Sequence, residues 1–168
     1  MPALQDSMLE YRAQLRKGSI QVAYKGLMEY LMALRTHFQN RHPEFQVSGN
    51  VYFGYMDMTY FSIMPEALKG RKLKIAVVFL HEAFRFEVWL SAVNRQVLAD
   101  YWQIIKESGW DKYRLVPSLK GMDSCLEYVL VENPDFNDLD GLTAQIERGT
   151  LRFIADVEAF LAAPTSFS

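Results

Sequence analysis

Near the start of the chain, apolar positions recur at helical spacing. Leu4, Met8, Tyr11 and Leu15 are four, three and four residues apart, which sets them on one face of a helix over residues 2–17. Pro2 suits the first turn of that helix and Gly18 its end. Ser19 is a good helix starter, and Ile20, Tyr24, Leu27, Leu31, Leu34 and Phe38 carry the same rhythm into a second helix. Pro43 disfavours helical backbone at His42, so this helix ends near Arg41. With so short a joint as Gly18-Ser19, the two helices are expected to pack as a hairpin or to form one bent unit.

The pattern then changes to one of strands. Residues 51–63 are dense in aromatic and β-compatible side chains and read as one long strand, or as two with a bulge near Gly54. Residues 72–80 read as a strand whose run from Ile75 to Leu80 suggests burial on both faces. His81-Glu82 marks a reversal. Residues 83–90 then alternate, with Phe84, Phe86, Val88 and Leu90 on one face and Arg85, Glu87 and Trp89 on the other. Short links favour an antiparallel meander. A helix over residues 93–108 follows, with Gly109 as its stop, then a short strand over 113–116. Residues 124–132 read as a further strand, with Leu126, Tyr128 and Leu130 alternating against Cys125, Glu127, Val129 and Val131. Asn137 or Asp138 caps a last helix over 139–161, in which Gly149 is a weak point. The tail over residues 164–168 is expected to fray.

These elements predict an α+β fold: a mainly antiparallel sheet of about four strands with helices packed on it. One domain is expected over residues 1–168, comprising a helical hairpin (1–42), a sheet with an inserted helix (49–132) and a C-terminal helix (138–161).

Composition supports a packed core. Half of the 168 residues are hydrophobic and 14% are aromatic, which argues against disorder. The net charge of −2 gives no general electrostatic reason to bind nucleic acid or an anionic membrane. Cys125, the one cysteine, can neither staple the fold nor build a zinc site by itself, in keeping with a reducing compartment. The apolar run over residues 75–80 is too short to span a bilayer, and the first residues lack a signal pattern. A cytoplasmic protein with no membrane partner is expected.

Motifs for cofactors are absent. No glycine pattern cradles phosphate between a strand and a helix, and no Gly-x-Ser-x-Gly elbow occurs. No cofactor and no metal is expected. His37 and His42 are five apart at a helix end, a spacing that does not share one helical face, so they read as a solvated helix terminus. His81-Glu82 reads as a polar turn. The carboxylates within strand-like runs carry more interest. Asp57, Glu87 and Glu127 could be solvated, paired with a base such as Arg85, or set in a pocket that shifts their pKa. Together with Tyr55 and Trp89 they make a candidate ligand set: Tyr55, Asp57, Arg85, Glu87, Trp89 and Glu127. The competing account is a half-exposed sheet face with cross-strand ion pairs. A metal-dependent nuclease is disfavoured, because Trp89 stands where a lysine is needed two positions after Glu87. Lys69, Arg71, Lys72 and Lys74 form a basic cluster that reads as protection of a strand edge rather than an RNA site.

Four segments resemble a family of uncharacterised bacterial proteins: residues 54–61 (GYMDMTYF), 72–79 (KLKIAVVF), 86–90 (FEVWL) and 131–136 (VENPDF). The resemblance covers most of the chain after the first helix. It implies a bacterial cytoplasmic origin and brings no assigned activity, cofactor or catalytic residue. The reading reached is therefore a non-catalytic domain that binds a small-molecule ligand or another protein, with a homodimer among the partners considered. A hydrolase using the sheet carboxylates, with or without a metal, is the alternative.

Overall fold

The computed structural model describes residues 1–163, so the tail expected to fray lies outside the described residues. The elements are α1 (Leu4–Lys17), α2 (Ser19–Arg41), β1 (Gln46–Val47), β2 (Met58–Met64), α3 (Glu66–Lys69), β3 (Leu73–Leu80), β4 (Arg85–Ala92), α4 (Arg95–Ser108), β5 (Arg114–Leu115), β6 (Leu126–Glu132) and α5 (Leu139–Ala162). The strands make one antiparallel sheet in the order β1-β2-β3-β4-β6-β5. The α+β class is as expected, but the sheet has six strands rather than about four. The added edges, β1 and β5, are two residues long, too short to leave an alternating pattern. No helix among the described residues is long and apolar enough to cross a membrane.

One sheet face carries the main core. Phe61, Ile63, Ile75, Val77, Phe79, Phe86, Val88, Leu90 and Leu126 are buried there with Leu31, Leu34 and Phe38 of α2 and Ile146, Phe153 and Val157 of α5. Phe79 and Phe86, paired across β3 and β4, hold their ring centroids 4.9 Å apart. The other face is built differently. Ala76, Val78 and Trp89 form a small buried cluster with Met58, Tyr60 and Leu80 around it, all of them strand residues.

Four expectations change. Residues 51–57 are not strand. Tyr52 bridges back to Tyr60, and the chain reverses through Gly54 (φ +74°) and Met56 (φ +64°) before β2 begins. Gly54 is dictated by close approach: a Cβ there would lie 2.1 Å from the Met58 carbonyl oxygen. The strand over 83–90 is displaced, because Phe84 (φ +53°) still belongs to the turn, and it is left 44% exposed. Phe86, Val88 and Leu90 point inward as expected. In β6, a bulge breaks the alternation: Phe86 pairs with Val131 but Glu87 with Val129. Val131 thereby joins Leu126 and Tyr128 on the inner face, with Leu130 as the extra residue. Finally, α1 buries none of its side chains, and its link to α2 is local, with Gln21 Nε2 donating to Leu15 O across the left-handed Gly18. This fits a bent unit rather than a packed hairpin.

Candidate functional site

Strand alternation in β4 sets Arg85, Glu87 and Trp89 side by side on the outer face. Arg85 Nε donates to Glu87 Oε2 at 2.6 Å, and Trp89 Nε1 donates to Glu87 Oε1 at 2.8 Å. Glu87 is only 3% exposed. A carboxylate can be buried this way because a cation and an indole N–H satisfy both oxygens. Arg85 also reaches Glu132 at 3.7 Å. Glu127 stands opposite Trp89 in register, on the same face. Its oxygens accept from Arg114 Nη1 at 2.6 Å and from Ser124 Oγ at 2.9 Å. Each carboxylate is thus held by its own arginine. Such groups order a surface; they leave no oxygen poised as a general base.

Tyr55 and Asp57 lie elsewhere. Tyr55 is 91% exposed on the turn before β2. Asp57 Oδ1 accepts from the Tyr55 amide at 2.9 Å, and the turn's N–H groups hold this carboxyl below its ordinary value. The Asp57 carbonyl receives the His81 N–H at 3.0 Å, which ties this turn to the β3–β4 reversal. His81 Nε2 lies 2.9 Å from Thr59 Oγ1, and burial pushes its pKa down against the opposing charge of Asp57. The six residues therefore split into an outer-face group (Arg85, Glu87, Trp89, Glu127) and an exposed turn (Tyr55, Asp57). A cavity of about 330 Å³ does open on the outer face, but of the six only Trp89 lines it; Tyr60, Lys74, Ser91 and Asp123 are among the others.

Two members of the basic cluster are directed to different places. Arg71 Nη2 donates to the Leu161 carbonyl at 3.0 Å and fastens the end of α5, while Lys74 turns to the outer-face cavity.

Sequence reasoning missed two assemblies. His37 and His42 both donate Nε2–H to Glu147 Oε2, at 2.8 and 3.0 Å. The helical-wheel argument fails because His42 lies beyond the last residue of α2, with φ −131° and ψ 67°, and so leaves the helical path. Burial raises the Glu147 pKa, but the hydrogen bonds and charges of the two imidazoles outweigh it, and the carboxyl sits below its ordinary value. The cluster clasps the end of α2 to α5. Among the described residues, no group of three or more His, Cys, Asp or Glu side chains is placed to hold a metal ion.

The second missed feature is an apolar groove of about 710 Å³ between the N-terminal half of α2 and the turns before β2 and β4. Ile20, Val22, Met56, Phe84 and Leu139 line it and stay substantially exposed. Val22 is 74% exposed. Met56 and Phe84 both have left-handed backbone, which is uncommon for bulky residues. Contiguous apolar exposure of this kind marks an interaction site more often than a solvated surface. The helical spacing of Ile20 and Tyr24 was the available signal, but it reads equally as core.

The chain belongs to the family described as Domain of unknown function (DUF7000), whose model matches residues 4–161. No curated protein and no solved structure matches it.

Proposed function

We propose that this chain is a non-catalytic interaction module, which docks a protein partner through the apolar groove beside α2. The exposure of Ile20, Val22, Met56, Phe84 and Leu139 around one groove is the observation that carries the reading. The occupied states of Glu87 and Glu127 weigh against the hydrolase alternative, since each carboxylate already has a cation and a second donor. A bacterial cytoplasm suits a module with a single, buried cysteine. Affinity capture of the tagged chain from its own host tests the reading. Wild type should retain a defined protein, either another polypeptide or an untagged copy, and Val22→Glu should release it. Val22 faces water, so this change leaves the core intact. Capture of nothing, or capture indifferent to Val22→Glu, refutes the module.

The outer-face cavity supports a second reading, a small anionic ligand. Lys74 lines it and makes no ion pair among the described residues, beside the Trp89 side chain. Native mass spectrometry of the chain purified from its host should then show a retained small molecule that Lys74→Glu abolishes. A bare chain from the same preparation removes this reading and leaves the module standing.

A further inference from the structure

We infer that the occupant of the groove is α1 of a second copy of this chain, exchanged reciprocally in a two-fold dimer; this rests on the interaction reading above. Helix α1 has 14 residues, no buried side chain and no side-chain cap at its N-terminus. Helices of about that length are marginal in water without tertiary packing. Its apolar residues remain exposed: Leu4 at 78%, Met8 at 49%, Leu9 at 46% and Tyr11 at 53%. The groove is the complementary feature, an apolar trough with no helix in it.

The chain cannot satisfy itself. Gly18 alone separates α1 from α2, and two antiparallel helices need a loop of about two to five residues to pack. The groove starts at Ile20, directly after the joint, so α1 cannot turn back far enough to enter it. A second copy is under no such constraint. It offers the right helix, and two-fold symmetry fills both grooves at once with identical contacts.

Charge agrees. Arg12, Arg16 and Lys17 give the C-terminal half of α1 a positive flank, and none makes an ion pair among the described residues. Glu82 lines the groove, and Asp135 and Asp138 are the chain neighbours of its lining residues Phe136 and Leu139. A basic helix end beside an acidic rim fixes orientation more than it adds affinity.

Sedimentation velocity on the full chain tests this. Wild type should be a dimer at about 100 µM, a concentration that captures even weak specific dimers. Met8→Glu and Val22→Glu should each be folded monomers by circular dichroism, while Lys74→Glu on the outer face should stay dimeric. A mixture of Met8→Cys and Phe84→Cys chains should form a disulfide-linked dimer faster than either chain alone, since Cys125 is buried and does not compete. A monomeric wild type overturns the inference, as does a dimer that survives Met8→Glu. If host capture returns a different polypeptide whose binding Val22→Glu abolishes, the module stands and the second-copy occupant falls.

Discussion

The two faces of the sheet are made from the same strands by different means. The inner face is continuous hydrocarbon, closed by α2 and α5, with seven buried positions on β3 and β4 alone: Leu73, Ile75, Val77, Phe79, Phe86, Val88 and Leu90. The outer face has fewer apolar side chains and centres on a buried carboxylate, Glu87, which grips Arg85 and the Trp89 indole. On the inner face order comes from shape and area. On the outer face it comes from hydrogen bonds that fix an indole over Ala76 and Val78. A carboxylate within a strand is therefore not in itself a reactive group. What decides is whether its oxygens are already taken.

The largest effect should fall on the inner face. Phe86→Ala removes a wholly buried ring that packs on Phe79 and Tyr30, and should cost about 3–5 kcal/mol in chemical denaturation. A loss below about 1 kcal/mol would erase the contrast between the faces. The outer face should answer next. Glu87→Ala strips Arg85 of its partner and leaves the Trp89 N–H unmet, at a cost of about 1–3 kcal/mol. Arg85 is partly exposed, so water recovers some of its share. The fluorescence of Trp89 should shift in the same variant. If Glu87→Leu, which fills the space but accepts no hydrogen bond, proves far milder than Glu87→Ala, cavity formation rather than lost hydrogen bonds controls this face.

Much of this was legible in the sequence. The end of α2 at Arg41 is as expected, because Pro43 acts locally, whereas at its start Gly18 rather than Ser19 takes the cap position and Ser19 is the first helical residue. The alternation of Phe86, Glu87, Val88, Trp89 and Leu90 also reads directly. What escaped depends on distant partners. The aromatic stretch over residues 51–57 has the composition of a strand, and only the close approach of Gly54 to Met58 O forces the reversal. Gly54 followed by Asp57 was the one local hint, since Asp57 accepts from the turn's own backbone. The bulge opposite Phe86 and Glu87 shifts β6 without any glycine or proline to announce it. The candidate ligand set split for the same reason: one side of the reversal carries Tyr55, and the sheet carries Trp89. His42 meets Glu147 across 105 positions of sequence, a pairing that no periodicity encodes.

That clasp gives a third test, smaller and dependent on pH. The Glu147 carboxyl is depressed below its ordinary value of 4.5 in the folded chain. Its stabilisation is therefore fully present above that value and is lost as pH falls through the lower folded value. Glu147→Gln should cost about 1 kcal/mol at neutral pH. It should also flatten the decline in stability between neutrality and acid relative to wild type. Parallel pH profiles for the two proteins would mean that the clasp carries no titrating charge.

The smallest effect concerns the fit of the inner face at its finest scale. Gly149 looks like a weakness in α5, since alanine in its place should add up to about 1 kcal/mol of helix propensity. Yet a Cβ at this position would stand 2.6 Å from Leu130 Cδ2. Leu130 is the extra residue of the bulge, so the notch in α5 accommodates the irregularity in β6. The clashing atom is the end of a flexible side chain, and it can move aside at modest expense. Gly149→Ala should thus leave stability within about 0.5 kcal/mol of wild type, the gain in propensity being offset by overpacking. In a Leu130→Ala background the same change should stabilise by about 1 kcal/mol. A double-mutant cycle reads the difference as a coupling of about 0.5–1.5 kcal/mol. Additivity of the two substitutions would show that helix and bulge are not fitted to one another, and that even the inner face tolerates a gap where the outer face has a hydrogen bond.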